Sequence, residues 1–285
     1  MKHKVGLAQM SPALGNIEKN LAMCRDWIAK AKEAGCSWVV FPELALSGYL
    51  LRDLVPEVAL RLDSEPISEL AELSSDIAIT MGFAEETTDD LFCNSAVHLE
   101  GGRIVHAHRK AYLPTYGMFD EGRYFAPGDR LRAFDTGFGR VGLMICEDAW
   151  HPSVPYVLAQ DGAEILVILS SSPARGVRGE HIESSQAWGF IVRVYSELLR
   201  CYVLYCNRDG YEEGVSFSGG SRVSSPAGVT IAEGMPLAEG LIVAELSDAE
   251  LRRARLSTPL HRDERLGLTM RELERIADGR YRDSF

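Results

Sequence analysis

Short apolar runs that stop at proline, glycine or charge recur along this chain, with amphipathic stretches of helical spacing between them. This alternation constrains the fold most, because strands that take turns with helices build α/β sheets whose ligands collect at strand C-terminal tips. Lys4 to Gln9 reads as a strand. Asn16 caps a helix running to about Ala34, with Ile17, Leu21, Cys24, Ile28 and Ala31 on one face, and Gly35 stops it. Ser37 to Phe41 is a buried strand ended by Pro42, so Glu43 stands just past a strand tip.

The pattern continues with a helix at Ile67 to Leu73 and a strand at Ile77 to Phe83. Phe92 to Leu99 and Arg103 to His108 flank Gly101-Gly102 as a hairpin. A long loop follows from Lys110 to Arg130, a length that is uncommon unless the loop has a task. Strands are expected at Leu131 to Asp135, Arg140 to Ile145, Glu164 to Leu169, Cys201 to Cys206, Gly220 to Ser225, Val229 to Ala232 and Leu241 to Glu245. Helices are expected at Pro152 to Gln160 and Glu180 to Leu199. No linker-like stretch divides the chain, so residues 1–246 read as one domain. Residues 247–285 mix Arg with Asp and Glu, with helical stretches at Asp248 to Ala254 and Leu268 to Ala277, and read as a tail packed on the body or on a partner subunit.

The net charge of −11 argues against broad nucleic-acid or anionic-membrane binding, which both need clustered positive charge. The first ten residues hold no apolar stretch long enough for a signal peptide, and no apolar run could span a bilayer. Six free thiols in a reducing cytoplasm are therefore expected, and the absence of CxxC gives no support to a structural zinc site.

Two glycine patterns are decoys. Gly137 to Gly142 matches GxGxxG but precedes an apolar strand, where a dinucleotide loop must follow one. Ser218-Gly219-Gly220-Ser221 has the start of a pyrophosphate loop, yet Arg222 stands where an Asp is needed. The histidines form no metal pattern, although His106 and His108 share a strand face. His151 follows too closely on Cys146 for a papain-like pair. Cys146 is distinctive: it ends the apolar run VGLMIC and opens into the polar turn Glu147-Asp148-Ala149-Trp150. With Glu43 and Lys110 it makes three chemically useful side chains at three strand ends, which are expected to gather along one sheet edge.

The segments FPELALSGY (41–49), HRKAYLPTYGMFDEGRYFAPG (108–128) and GLMICEDAW (142–150) resemble, in order and spacing, three signature blocks of the nitrilase superfamily of carbon–nitrogen hydrolases. FSGGSRVSSPAG (217–228) resembles a later strand pair of that family. The resemblance implies a four-layer αββα sandwich, a homodimer or higher homo-oligomer, and a catalytic triad of Glu43, Lys110 and Cys146. It also implies that Glu121, with Asp120 as the alternative, supports the lysine. Tyr116, Trp150 and Ser172 match substrate-pocket positions. Within the superfamily the sequence is most similar to the glutaminase domain of glutamine-dependent NAD synthetases, through LALSGY, ICEDAW and Leu169 to Pro173. The implied activity is hydrolysis of a small amide, glutamine or a relative, through a cysteine thioester, with no metal or other cofactor. The alternatives are a glutaminase subunit that passes ammonia to a separate synthetase, or an acyl-binding homologue without turnover.

Overall fold

The computed structural model describes residues 1–178 and 181–281. The chain begins with β1 (Lys2–Gln9), α1 (Ile17–Glu33), β2 (Trp38–Val40), α2 (Val55–Val58), α3 (Glu65–Leu73) and β3 (Ala78–Glu86). The hairpin β4 (Phe92–Glu100) and β5 (Arg103–Arg109) leads into the long loop. Then come β6 (Ala133–Thr136), β7 (Gly139–Ile145), α4 (Ser153–Gln160), β8 (Ile165–Ser170), the short pair β9 (Val177–Arg178) and β10 (His181–Ile182), and α5 (Glu183–Leu199). The remaining strands are β11 (Tyr202–Asn207), β12 (Asp209–Glu212), β13 (Val215–Ser218), β14 (Arg222–Ser224), β15 (Thr230–Glu233) and β16 (Gly240–Ser247). Helices α6 (Asp248–Ser257), α7 (Leu260–Asp263) and α8 (Leu266–Tyr281) follow.

Two six-stranded sheets result, ordered β16-β1-β2-β3-β4-β5 and β15-β14-β11-β8-β7-β6. Their central strands pair in parallel, with Val5 opposite Trp38, Trp38 opposite Ala78 and Val141 opposite Ile165. Strands β2, β8 and β11 are buried along their whole length, which explains their unbroken apolar runs. The two-residue period sorts their side chains. Trp38 and Val40 enter the layer between the sheets with Val141, Leu143, Val167 and Leu204, while Val39 faces outward against Leu21, Ile28 and Leu70 of α1 and α3. Helices α4 and α5 pack on the second sheet through Val154, Leu158, Trp188 and Val192. The layers are therefore helix, sheet, sheet, helix, the αββα sandwich that the sequence resemblance implied.

Local signals worked where they were chemical. The Asn16 side chain accepts the Lys19 N–H at 3.0 Å and starts α1. Gly35 ends it at φ +74°, a conformation that suits glycine. Gly137 to Gly142 spans the β6–β7 turn and the strand after it, and Gly219-Gly220 is a turn between β13 and β14. The hairpin β12–β13 was not expected. Its sequence DGYEEGVS lacks an apolar run because what it buries includes the Glu212 carboxylate, paired with Arg208. The expected start of α5 at Glu180 lies outside the described residues. Strand β16 continues to Ser247, opposite Lys2 of β1, and α6 buries Leu251 and Ala254 against the body. Among the described residues no helix is long and apolar enough to cross a membrane.

Candidate active site

Strands β2, β5 and β7 end just before Glu43, Lys110 and Cys146. Sequence reasoning had these tips gathering along one sheet edge, which the structure corrects. β2 and β5 belong to the first sheet and β7 to the second. The tips meet because the two sheets pack face to face, with β4 and the edge strand β5 of the first lying against β7 of the second.

Glu43 is 1% exposed. Its Oε1 accepts Lys110 Nζ at 2.8 Å and Asn94 Nδ2 at 2.8 Å, and its Oε2 accepts the Ser171 N–H at 2.7 Å. The turn that carries it lies so close to β3 that a Cβ at Gly82 would stand 2.5 Å from Leu44 N, so only glycine fits there. Lys110 has no exposed surface. Its backbone N–H donates to Asn94 O at 2.8 Å, and its Nζ also reaches Glu121 Oε1 at 2.7 Å. Glu121 accepts the Tyr49 hydroxyl as well. The carboxylate on Lys110 is thus that of Glu121, while Asp120 is exposed.

Burial opposes the Lys110 charge, but the Glu121 and Glu43 carboxylates outweigh it and raise its pKa well above the ordinary lysine value. Burial pushes the Glu121 carboxyl up to about 6, with Lys110 holding it back. Burial and then the Glu43 carboxylate push the Cys146 thiol up, against the pull of Lys110. The resting thiol is therefore protonated at neutral pH, and a base must take its proton. Cys146 opens a short 3-10 turn at φ +44°, a strained conformation for a residue with a Cβ, and its Sγ accepts the Ser170 hydroxyl at 3.4 Å. The next residue after Ser170 is the one whose N–H holds Glu43.

A cleft of about 270 Å³ opens over Cys146, and Tyr116, Trp150 and Ser172 all line it, as do Glu147, Arg175 and Phe119. The Tyr116 hydroxyl donates to Glu147 Oε2 at 2.9 Å. Trp150 packs edge-on against Trp188. The Ser172 N–H donates to Asn207 Oδ1 at 2.8 Å. The Arg175 guanidinium lies over the Phe119 ring, 4.9 Å from its centre. His151 instead stacks on Tyr112, with ring centroids 3.6 Å apart. His106 stacks on Phe134, and His108 meets Asp148.

Sequence reasoning missed Asn94, Tyr49, Ser171 and Arg175. Asn94 had a signal, since it is a polar residue inside the buried strand FCNSAVHLE. Tyr49 and Ser171 lay within segments already singled out, but nothing in one dimension aims a tyrosine at Glu121 or a backbone N–H at Glu43. Two of the site's buried acceptors, Asn94 Oδ1 and Glu121 Oε2, have no hydrogen-bond partner among the described residues.

The model of the family described as carbon-nitrogen hydrolase matches residues 4–256. A glutamine-dependent NAD(+) synthetase of Thermotoga maritima is 33% identical over 91% of this chain and 44% of its own length. The chain thus spans less than half the length of that relative. A nitrilase of Pyrococcus abyssi is 30% identical over 89% of this chain and 93% of its own. The crystal structure of a carbon-nitrogen hydrolase from Helicobacter pylori superposes with a TM-score of 0.83 at 26% identity, covering 96% of this chain and 99% of that one. With a family match over most of its length and this sandwich beneath its cysteine, the chain belongs to the carbon–nitrogen hydrolase family of the nitrilase superfamily and is a hydrolase.

Proposed function

We propose that the chain hydrolyses the amide of glutamine or a closely related small amide through a thioester on Cys146, releasing ammonia. The observation that carries this is the Lys110 ammonium fixed between Glu43 and Glu121 beside the Cys146 turn. Glu43 takes the thiol proton as Cys146 Sγ attacks the carbonyl carbon. Lys110 and the backbone N–H after Cys146 stabilise the tetrahedral oxyanion. Glu43 passes its proton to the leaving nitrogen, and ammonia departs. Water then gives a proton to Glu43 and attacks the thioester, which restores the thiol and releases the acid.

The cleft also carries opposite charges on its wall, Arg175 and Glu147, which suit the carboxylate and ammonium of an amino-acid amide. Ammonia release across a panel of glutamine, asparagine, acetamide and benzonitrile tests this reading, with glutamine expected to lead. Arg175→Ala should raise KM for glutamine about 10- to 100-fold, the worth of one charge-assisted contact, and leave acetamide turnover alone. A wild-type preference for acetamide would exclude the amino-acid reading.

A second reading rests on the synthetase relatives, whose names include glutamine dependence. In it this chain feeds ammonia to a separate NAD synthetase. Glutamine hydrolysis that rises only when such a synthetase and its substrates are added belongs to that reading. Steady turnover by the chain alone belongs to the first.

The chain also pairs with a second copy in this proposal. Val157 of α4 and Phe190, Val194 and Leu198 of α5 are exposed apolar residues on neighbouring helices, and α8 exposes Leu266, Met270 and Leu273 at helical spacing. The Tyr195 hydroxyl donates to Ala149 O at 2.8 Å, so α5 also braces the cysteine turn. Sedimentation should show a dimer at micromolar concentration, and Val194→Glu with Leu198→Glu should yield a monomer of lower activity. A wild-type monomer with full activity would refute the pairing.

A further inference from the structure

We propose that Asp148, itself held by His108, is a positioning residue that locks the Lys110 segment against the Cys146 turn; the inference rests on Cys146 being the nucleophile. Asp148 is fully buried, and its carboxylate touches both catalytic segments. Oδ1 accepts the N–H groups of Ala111 at 3.0 Å and Tyr112 at 3.1 Å, directly after Lys110. Oδ2 accepts the Ile145 N–H at 2.9 Å, directly before Cys146. Oδ2 also lies 2.9 Å from His108 Nε2, which must be the donor to an ionised carboxylate. One side chain thus bridges two strand ends that belong to different sheets.

The local chemistry explains why this must be an aspartate. Cys146 holds φ +44°, where a side chain with a Cβ is strained, so its turn persists only if the surroundings fix it. The bond from Ile145 N–H to Oδ2 closes that turn across the strained residue. Two residues apart at the end of β5, His108 and Lys110 leave the same face of the strand. His108 meets Asp148, and Lys110 meets Glu43 and Glu121. The carboxylate offers acceptors on both oxygens, and all four contacts use them. An amide in its place can keep Ala111 and Tyr112 at its oxygen, but its NH₂ then faces the Ile145 N–H, donor against donor. Burial opposes the Asp148 charge, yet the His108 contact and the Ile145 N–H hold its pKa below the ordinary aspartate value.

The test compares Asp148→Asn, His108→Gln and His108→Phe in the full chain, with ammonia release and the pH profile of Cys146 alkylation by iodoacetamide as readouts. Asp148→Asn should lower kcat about 100-fold, the usual cost of a small misplacement of catalytic groups, with KM little changed. The pH of half-maximal Cys146 alkylation should rise, because Lys110 no longer sits where it favours the thiolate while Glu43 and Glu121 still oppose it. His108→Gln keeps a donor for Oδ2 and should retain most of kcat, whereas His108→Phe should behave like Asp148→Asn. Wild-type kcat and an unmoved alkylation profile in Asp148→Asn would overturn the proposal, as would an effect confined to KM. If Asp148→Asn does not fold, the two His108 variants decide, and equal kcat values for them would overturn it. A wild-type chain in which Cys146 neither forms a thioester nor alkylates would instead refute the nucleophile reading, a result distinct from normal behaviour of the Asp148 and His108 variants in an active chain.

Discussion

Cys146→Ala should abolish ammonia release from every amide the wild type accepts, by about a million-fold in kcat, as when the nucleophile of a concerted catalytic group is removed. The fold should survive. Alanine keeps the Cβ, so the backbone strain at φ +44° is the same in both proteins, and only a sulfur and its contact with the Ser170 hydroxyl are lost. Circular dichroism and the melting temperature should therefore barely change. Chemical labelling gives an independent check. The six cysteines are free and buried, and Cys146 lines the cleft through which a small reagent can reach it. Iodoacetamide should modify it first, but slowly near neutral pH, because burial and the Glu43 carboxylate keep the thiol protonated. Mass spectrometry of wild type mixed with substrate should find an acyl group on Cys146 and none on the variant. Undiminished turnover by Cys146→Ala would refute the thioester mechanism outright.

Much of this site could be read from one dimension because its chemistry sits at points where the chain changes direction. Pro42, the charge pair Arg109-Lys110 and the switch from MIC to EDA each mark a strand end, and strand ends are where a sheet can present polar groups. The α/β alternation was legible for the same reason, since the wholly buried strands β8 and β11 need unbroken apolar runs. What escaped are contacts set by packing between sheets. That Cys146 comes from the second sheet and Lys110 from the first follows from the strand orders, and neither order is written in local periodicity. Asn94 reaches Glu43 across 51 residues, and Ser171 does so across 128. The hairpin β12–β13 was invisible because its buried content is the Arg208–Glu212 ion pair, and charged residues read as exposed until a partner is known. That pair has a use, since Glu212 accepts the Tyr49 N–H at 2.9 Å and so fixes the loop whose tyrosine supports Glu121.

Lys110→Met should be the most damaging change to stability and catalysis together. The side chain is fully buried between two carboxylates, at 2.8 Å from Glu43 and 2.7 Å from Glu121. Methionine fills a similar volume but leaves both carboxylates in a dry interior without their shared cation. Breaking a buried ion pair from one side costs about 3–5 kcal/mol, which denaturant unfolding at pH 7 would measure directly. Since the Glu121 and Glu43 carboxylates raise the lysine pKa above its ordinary value, the ammonium contributes fully through the neutral range, and its contribution is lost only as pH climbs through that raised pKa. Turnover should fall by about 100- to 1,000-fold or more from the lost oxyanion contact alone. The double variant Lys110→Met with Glu121→Gln separates the two effects. It removes one stranded charge together with the cation, so stability should recover in part. Activity should not recover, because the charged oxyanion contact is gone and only the backbone N–H after Cys146 remains. If the double variant regained turnover along with stability, Lys110 would be a structural counter-ion rather than a catalytic residue.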